Sequence, residues 1–489
     1  MLKIAICSAE AAPFAKTGGL ADVTGSLPQA LKKIGNMPIV ILPGYEYIFS
    51  DFQNIEKVYE NARVKISDKK EDYFDIYKIL NKGVDYYFVR NSFYFGRENL
   101  YGTPQGDYED NDLRFGFFSK SILELLRIIR FKPDILHLHD YHVALCSLFL
   151  SVEKSLNENY YLNSTKTVFT IHNIAYQGIF GQETMEKIGI DRKYFNMDGL
   201  EFYGKINYMK GGIVYSDKIT TVSPTYSREI LTPEFGYGLD GVLKTRKDCI
   251  SGIINGIDYE YWNPENDTEI TENYSTANMA GKTKCKKALL NKMFERPDYN
   301  RPVFGMVSRL SEQKGIDILI EAIKNILKEE LYIVLLGTGD DRYMKLLKDI
   351  QMANNDKISL NLAFSEKLAR MIYAGSDIFL MPSKYEPCGL GQLISLKYGT
   401  VPVARKTGGL ADTIIDIGSE KDINRGGQGF MFNNYDWQSL YYCMKKALSF
   451  FKDKKTWNKI VNNAMKCDYS WDYSAEIYID LFKSVLQTH

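Results

Sequence analysis

The chain has 489 residues, of which 45% are apolar and 25% are charged, as in globular proteins generally. One hydrophobic core does not extend over such a length, so two or three domains are expected. The 61 basic and 61 acidic residues give a formal charge of zero. Charge therefore offers no basis for binding nucleic acid or an anionic membrane surface.

The seven cysteines are scattered, and no two of them form a Cys-x-x-Cys pair. This pattern is typical of a reduced intracellular protein without a disulfide framework or a structural zinc site. The first residues read as a strand instead of a signal peptide, and the most apolar stretch, residues 143–152, is too short to span a bilayer. We therefore expect a cytoplasmic protein.

The first half of the chain alternates short β-branched runs with segments of helical period. A strand at 2–7, a helix from about 20 to 34 and a strand at 38–43 open this pattern. The tyrosine-rich stretch 45–112 is irregular and is interpreted as an insertion that carries a binding rim, with short strand-like pieces. The next predicted elements are helix 112–129, strand 135–138, helix 141–150, and strands 167–171 and 218–222.

The second half repeats this alternation more regularly. Strands alternating with helices of ten to fifteen residues predict βαβ units with parallel sheets, and two such runs predict an α/β protein with two Rossmann-like domains facing across a cleft. We place the domains at 1–250 and 251–465, with a C-terminal helix at 466–489 that either stays on the second domain or crosses back to the first. The predicted strands lie at 303–307, 332–336, 358–362, 378–381 and 401–404.

One seven-residue sequence occurs twice: Lys-Thr-Gly-Gly-Leu-Ala-Asp runs from Lys16 to Asp22 and returns at 406–412. We interpret each copy as a strand leading into a Gly-Gly turn that opens a helix. Gly18 and Gly19 let the backbone approach a ligand, the helix start offers N–H groups to an anion, and Lys16 adds a positive charge. A single Gly-Gly helix entry more often binds nothing, but the repeat favours a site.

Two further motifs follow predicted strands of the second half, SRLSEQKG and EPCGLG. Arg309 and Lys314 of the first fit a diphosphate, the arginine as a planar fork and the lysine as a point charge. Gly389 and Gly391 of the second open a helix whose N–H groups suit phosphate oxygens. Glu386 is a better acceptor for sugar hydroxyls than a phosphate ligand. The alternatives are ordinary surface charges and a helix-start acid stabilised by the helix dipole.

Histidines are scarce, and three of the five lie in the His-Leu-His-Asp-Tyr-His segment at 137–142. A metal site there is disfavoured because no carboxylate or cysteine cluster with metal-ligand spacing accompanies it. His172 follows a predicted strand, a position where site residues collect. Asn255 lies in an Asn-Gly-Ile-Asp turn near the domain junction.

Together these motifs resemble those of bacterial glycogen synthases and plant starch synthases, the retaining glucosyltransferases of the GT-B type. The resemblance spans nearly the whole chain, because nine segments occur in the family's order. They are KTGGLADV, HDYH, TIHNIAYQG, KGGIVYSDKITTVSP, GYGLDGVL, NGIDYEYWNP, SRLSEQKG, EPCGLGQL and RKTGGLAD.

The resemblance implies transfer of glucose from ADP-glucose to the non-reducing end of an α-1,4-glucan, without metal or cofactor. It implies catalytic roles for Arg309 and Lys314 at the leaving diphosphate, Glu386 at the glucose hydroxyls and His172 near the anomeric carbon. The implied substrate-binding residues are Lys16, Gly18, Gly19, Asp22, Asp140, Asn255, Cys388, Gly389, Leu390 and Gly391.

Two positions depart from the family pattern. Gly391 stands where EPCGLTQ has threonine, so a hydroxyl contact to phosphate is lost, and Tyr141 replaces the tryptophan of HDWH. Two other functions stay open at this point. One is a phosphorolytic glucan enzyme with pyridoxal phosphate on a lysine, and the other is a glucan-binding protein without catalysis.

Overall fold

The computed structural model describes residues 1–103, 105–363 and 365–487. The chain divides into two compact units, and each is described by itself. The N-terminal unit comprises Met1–Gly256 together with the residues from Trp471 onward, and the C-terminal unit comprises Ile257–Ser470. From the sequence, these junctions were expected at 250/251 and 465/466. Residues 488 and 489 of the predicted terminal segment lie outside the described residues.

The N-terminal unit is built on a nine-stranded sheet in the order β14-β13-β9-β8-β1-β2-β5-β4-β3. Strands from β14 to β5 are parallel, and β4 and β3 extend the sheet as an antiparallel hairpin. The central strands are continuous apolar runs because helices cover both faces of a parallel sheet. The strands are β1 Lys3–Cys7, β2 Met37–Pro43, β3 Glu56–Ser67, β4 Lys70–Asn81, β5 Val84–Arg90, β6 Gly102–Thr103, β7 Gly106–Asp107, β8 Ile135–His139, β9 Lys166–Ile171, β10 Ile179–Phe180, β11 Glu201–Phe202, β12 Lys205–Asn207, β13 Lys218–Thr221 and β14 Ile250–Gly252.

Some helices of this unit begin at a side chain that accepts a hydrogen bond from an N–H of the first turn. Ser223 accepts from the Tyr226 N–H at 3.1 Å with Pro224 at the first helical position, the combination that favours a helix start. The helices are α1 Gly19–Lys33, α2 Glu46–Asp51, α3 Ser92–Phe95, α4 Asn111–Ile128, α5 Tyr141–Leu156, α6 Thr184–Lys187, α7 Tyr208–Tyr215, α8 Pro224–Glu229 and α9 Asp240–Thr245, with 3-10 turns at Arg192–Tyr194 and Lys247–Cys249.

The C-terminal unit contains a six-stranded parallel sheet in the order β17-β16-β15-β18-β19-β20. Its strands are β15 Val303–Val307, β16 Tyr332–Leu336, β17 Ile358–Asn361, β18 Ile378–Met381, β19 Val401–Arg405 and β20 Phe430–Phe432. Its helices are α10 Ala280–Met293, α11 Ile316–Ile326, α12 Asp341–Ala353, α13 Glu366–Gly375, α14 Gly391–Lys397, α15 Gly408–Thr413, α16 Glu420–Ile423, α17 Trp437–Lys452 and α18 Lys454–Lys466, with a 3-10 turn at Glu312–Lys314. Two Rossmann-like α/β domains are therefore confirmed.

The last helix, α19 (Trp471–Gln487), packs on the N-terminal unit. Asp472 pairs with Lys33 of α1 at 2.5 Å, and the Ser474 hydroxyl donates to the Ile254 carbonyl at 2.7 Å. The buried face of this amphipathic helix therefore covers the N-terminal sheet. No helix in the described ranges is long and apolar enough to cross a membrane.

Candidate active site

Candidate site residues follow the carboxyl ends of parallel strands in both units. In open α/β sheets ligands bind at this edge, because the loops that leave neighbouring strands converge there. In the N-terminal unit the loop to Lys16 follows β1, Asp140 follows β8 and His172 follows β9. In the C-terminal unit Arg309 follows β15, and Glu386 follows β18.

Glu10 organises the loop between β1 and α1, and sequence reasoning missed it. The residue is 3% exposed, and its carboxylate accepts from the Thr17 N–H at 2.6 Å, the Thr17 hydroxyl at 2.7 Å, the Gly18 N–H at 3.2 Å and the Tyr101 hydroxyl at 2.6 Å. A buried carboxylate with this many donors holds the loop in one conformation. An acidic residue three positions beyond an apolar strand was the available signal.

The first copy of the repeated sequence is exposed at the start of α1. Lys16, Gly18 and Gly19 are solvent-exposed, and Asp22 is partly buried. The Lys16 Nζ lies 2.6 Å from Asp22 Oδ1 across the first turn of the helix. This pair keeps the lysine at the glycine turn while its other two N–H donors stay available to an anion.

A cavity of about 710 Å³ opens beside Lys16 within the N-terminal unit. Its wall combines the rings of Tyr47 and Tyr101 with the carboxylates of Glu98 and Asp107. Aromatic faces and carboxylates together suit a carbohydrate, which offers apolar ring faces and hydroxyl donors.

Asp140 and His172 meet directly. Asp140 is buried in a left-handed backbone conformation (φ 60°), and its Oδ1 accepts from the His172 N–H at 2.8 Å. Burial raises the pKa of Asp140 to about 7, against the lowering effect of the backbone N–H bonds. The carboxyl therefore titrates near neutral pH and fixes the backbone of His172.

The His172 ring is held by a second histidine. Its Nε2 lies 2.8 Å from Nδ1 of His139, the last residue of β8. Burial lowers the pKa of His172 to about 3, so the ring is neutral at physiological pH.

Asn255 lies at the end of the N-terminal unit, three residues beyond β14. The residue is 5% exposed, and its Oδ1 has no hydrogen-bond partner among the described residues. Buried polar atoms are nearly always paired, so an unpaired amide oxygen here is a candidate ligand contact.

Lys314 and Glu386 form the centre of the candidate site in the C-terminal unit. The Lys314 Nζ lies 2.6 Å from Glu386 Oε2, and the side chains are 19% and 6% exposed. The Ser383 hydroxyl donates to the same oxygen at 2.9 Å. No described residue hydrogen-bonds to Glu386 Oε1, so this oxygen is open to a ligand hydroxyl.

Glycines allow the loops that carry this pair to come together. Gly315, next to Lys314, has φ 74°, and a Cβ there would lie 2.0 Å from the Pro382 carbonyl oxygen. The second copy of the repeat supports Glu386 in the same way, because a Cβ on Gly408 (φ 44°) would lie 1.9 Å from the Glu386 carbonyl oxygen. The Gly409 N–H donates to that carbonyl at 3.0 Å. Only glycine combines this backbone with this contact distance.

The remaining predicted residues of this unit belong to the same two motifs as the pair. Arg309 is exposed just beyond β15, and the loop is fixed by the Leu310 N–H, which donates to the Thr338 carbonyl at 2.8 Å. Cys388 is buried, whereas Gly389, Leu390 and Gly391 are partly exposed at the start of α14.

Position 391 has limited room for a side chain. A Cβ on Gly391 would lie 3.2 Å from Phe379 Cε1 and 3.5 Å from the Tyr373 hydroxyl oxygen. The second of these distances is ordinary van der Waals contact, so a small side chain fits with a slight shift of the Phe379 ring.

Across residues 1–103, 105–363 and 365–487, no group of three or more His, Cys, Asp or Glu side chains has the geometry to hold a metal ion.

Comparison with known proteins places these features in a family. A family model described as "Starch synthase catalytic domain" matches residues 3–245, and "Glycosyl transferases group 1" matches residues 291–466. The chain is 46% identical to the glycogen synthase of Geotalea uraniireducens (strain Rf4) over 486 residues, with 99% of each chain covered. The chain belongs to the glycogen synthase and starch synthase family.

Two further comparisons agree with this family. Glycogen synthase of Thermosipho melanesiensis is 44% identical over 488 residues, again with 99% of each chain covered. The catalytic domain of starch synthase IV from Arabidopsis thaliana, solved with ADP and acarbose, has a TM-score of 0.91 at 33% identity and 99% coverage of both chains. The resemblance inferred from the nine motifs is therefore confirmed, as is the glycosyltransferase class, with a nucleotide sugar and a glucan as the family's substrates.

Proposed function

We propose that the protein transfers glucose from ADP-glucose to the non-reducing end of an α-1,4-glucan with retention of configuration. The single observation that carries this is the Lys314–Glu386 pair, 2.6 Å apart at the carboxyl edge of the C-terminal sheet. It combines a cation for a phosphate with a carboxylate for sugar hydroxyls, the two chemistries of a nucleotide sugar. Full-length similarity to glycogen synthases supports the same activity.

Each catalytic residue has a role that its position supports. Lys314 and Arg309 stabilise the charge that develops on the leaving diphosphate. Glu386 accepts hydrogen bonds from the donor glucose through its open Oε1. His172, a neutral ring with its backbone anchored by Asp140 at 2.8 Å, lines the donor glucose near its anomeric carbon, where its backbone carbonyl eases oxocarbenium charge.

The other contacts are proposed from the same resemblance. Cys388, Gly389, Leu390 and Gly391 surround the phosphates with backbone groups. Lys16, Gly18, Gly19 and Asp22 form the turn that contacts the diphosphate side of the donor, while Asp140 and Asn255 contact the substrates. The glucan occupies the cavity beside Lys16, where aromatic rings and carboxylates face the opening.

The reaction proposed is substitution on one face of the sugar. The bond between the anomeric carbon and the phosphate oxygen of ADP breaks, and a bond to O4 of the glucan end forms on the same face. The departing phosphate oxygen takes the proton of that hydroxyl, so no side-chain nucleophile is needed. Exclusion of water from the bound donor suppresses its hydrolysis.

The test compares ADP-glucose with UDP-glucose, each labelled in glucose, in the presence of glycogen. Released nucleotide and polymer growth are both measured. Transfer from ADP-glucose with matching nucleotide release is expected. If neither donor supported transfer, the proposed function would be overturned. Maltooligosaccharide binding without nucleotide-sugar binding in calorimetry would indicate a glucan-binding protein. Absorbance of a lysine–pyridoxal phosphate Schiff base would indicate a phosphorolytic enzyme.

Variants test the site separately from the function. Lys314→Ala and Glu386→Ala are each expected to lower turnover by roughly 10²–10³-fold with the fold intact, as for loss of one preorganised group at a developing charge. Lys324→Ala is the matched control, because Lys324 forms an equally short pair with Glu321 (2.6 Å) on the exposed face of α11 and exposed pairs contribute little. Near-normal transfer in both site variants would refute the assignment of the pair.

We also propose that the enzyme works in the cytoplasm. None of the seven cysteines forms a disulfide bond, and Cys7, Cys146, Cys285, Cys388 and Cys443 are buried, which suits a reducing compartment. Fractionation with detection of the native protein tests this, and recovery from an extracellular or periplasmic fraction would contradict it.

A further inference from the structure

The site histidine belongs to a buried chain of polar side chains in the N-terminal sheet. His139 Nδ1 and His172 Nε2 are 2.8 Å apart, with ring centroids at 5.2 Å. Behind them the His137 ring lies 4.1 Å from that of His139, and its Nε2 is 2.7 Å from the Thr170 hydroxyl. His137 and His139 are fully buried, so their ring nitrogens are shielded from bulk solvent.

The two nitrogens that face each other share a single hydrogen atom. Burial holds the pKa of His139 well below its ordinary value and lowers the pKa of His172 to about 3. Both rings are therefore neutral, and each carries one N–H. Either His139 donates from Nδ1 to His172 or His172 donates from Nε2 to His139.

The other nitrogen of His139 decides between these arrangements. His139 Nε2 is buried and has no hydrogen-bond partner among the described residues. If His172 donated, His139 would carry its hydrogen at Nε2, which would leave a buried N–H without an acceptor. If His139 donates from Nδ1, its Nε2 carries no hydrogen and is only an acceptor without a partner. Orphaned buried N–H groups are rarer than under-satisfied acceptors, so donation from His139 is favoured.

The geometry points to His139 as a positioning residue that holds His172 in the tautomer with its hydrogen on Nδ1. The hydrogen bond that one imidazole nitrogen accepts determines which nitrogen of that ring carries the proton. His172 is thereby set as a hydrogen-bond donor from Nδ1, which suits a sugar hydroxyl oxygen in the substrate. The backbone of His172 is fixed independently by Asp140. The tautomer follows from the structure, and only its kinetic consequence rests on the proposed function.

The tautomer is measured directly on the full chain labelled with ¹⁵N-histidine. The chain contains only five histidines, so long-range ¹H–¹⁵N correlations resolve them, and each is assigned from the variant that lacks it. We expect His172 to show a protonated Nδ1 and a bare Nε2. A wild-type spectrum with the proton on His172 Nε2 would overturn the inference without any activity measurement.

Two substitutions at one position separate positioning from structural support. His139→Leu removes the donor, so His172 is expected to shift towards the Nε2–H tautomer and transfer to fall roughly ten- to hundredfold, as on loss of partners that orient a site histidine. His139→Asn places an amide N–H near the former Nδ1 and is expected to keep both the tautomer and most of the activity.

Three outcomes of these variants would overturn the inference. They are an unchanged His172 tautomer in His139→Leu, equal loss of transfer in the leucine and asparagine variants, and full transfer in His139→Leu. Absence of glucose transfer in the wild-type protein would instead refute the proposed function and leave the tautomer measurement standing. Thermal unfolding of both variants checks that each comparison is made between folded proteins.

Discussion

Acidification from pH 7 to pH 5 is expected to destabilise the N-terminal domain selectively. Four histidines of this domain are held neutral: burial lowers the pKa of His137, His142 and His172 to about 3 and that of His139 well below its ordinary value. The pKa of Asp140 is instead raised by burial to about 7. The C-terminal domain, residues 257–470, contains no histidine and serves as an internal control.

The sign follows from the protons bound in each state. An unfolded histidine titrates near about 6.5, so below that pH the unfolded chain binds protons that the folded domain rejects, and stability falls down to about pH 3. Asp140 acts oppositely between about pH 4 and pH 7, because only its folded form is protonated there. Near pH 5 the unfolded chain holds about four histidine protons that the folded domain lacks, and the folded domain holds one Asp140 proton that the unfolded chain lacks. The net difference of about three protons corresponds to a loss of roughly 4 kcal/mol in unfolding free energy per pH unit.

This slope is large against the stability of a typical domain, about 5–15 kcal/mol. Because the full slope applies only below about pH 6, unfolding of the N-terminal domain is expected about two to four pH units below neutrality. Hydrogen exchange of peptides from β8 and α5, at several urea concentrations and at pH 7, 6 and 5, measures the unfolding free energy of this domain. Peptides from β15 and β16 report the C-terminal domain in the same samples.

A single substitution tests the proton count. The His142 ring packs against Phe115 at 4.6 Å, and its Nδ1 is buried without a partner among the described residues. His142→Phe therefore removes one titrating group at little cost in hydrogen bonds, and the slope is expected to drop by about 1.4 kcal/mol per pH unit. A slope unchanged in this variant, or equal acid sensitivity in both domains, would refute the reasoning.

Three further predictions concern the C-terminal domain. Gly408→Ala is expected to destabilise it by about 1–3 kcal/mol, because the new Cβ would lie 1.9 Å from a carbonyl oxygen at φ 44°. Gly18→Ala in the other repeat copy, where nothing lies within 4 Å of the Cβ, is the control in urea unfolding. Equal effects of the two substitutions would contradict the prediction. Gly391→Ser restores a hydroxyl that can contact a phosphate of the donor, and it is expected to lower the donor KM by up to about tenfold in steady-state kinetics. An unchanged or higher KM would argue against a phosphate contact at this position. The Asp267 side chain is 1% exposed and lies 2.9 Å from the Arg370 guanidinium. Arg370→Met removes this cation from the buried carboxylate, and the free energy of unfolding in denaturant is expected to fall by about 3–5 kcal/mol. A loss below 1 kcal/mol would show that the pair is not buried in solution.

The sheets were largely predictable, since buried parallel strands are short continuous apolar runs. Val303–Val307 and Tyr332–Leu336 have the predicted bounds. Phe430–Phe432 was missed because three residues at the end of a sheet give too short a pattern. The stretch 45–112 was expected to be irregular with short strand-like pieces, and two of those pieces lie inside the long strands Glu56–Ser67 and Lys70–Asn81. The first residues of both strands are charged or exposed, so the alternation that identifies a strand appears only farther along them.

The candidate site was predicted as separate motifs and not as contacts. Lys314 and Glu386 were each selected for their chemistry, but their 2.6 Å pair joins residues 72 positions apart in the chain. Glu10 was missed because its importance lies in what it binds, the Thr17 and Gly18 backbone and the Tyr101 hydroxyl. Long-range contacts of this kind follow from strand order, which local patterns do not contain.

The repeated sequence shows most clearly what the residues alone do not determine. Both copies of Lys-Thr-Gly-Gly-Leu-Ala-Asp begin a helix after a strand, as the residues alone determined. The first copy, however, has Gly18 extended (φ −158°) before a helix of 15 residues, whereas the second has Gly408 at φ 44° in a helix of six residues. Identical residues adopt these two backbones because their surroundings differ. The Glu10 carboxylate accepts a hydrogen bond from the Thr17 N–H in the first copy, whereas the Glu386 carbonyl lies against Gly408 in the second. Composition and local pattern determined the helix starts, and tertiary packing decided what each glycine does there.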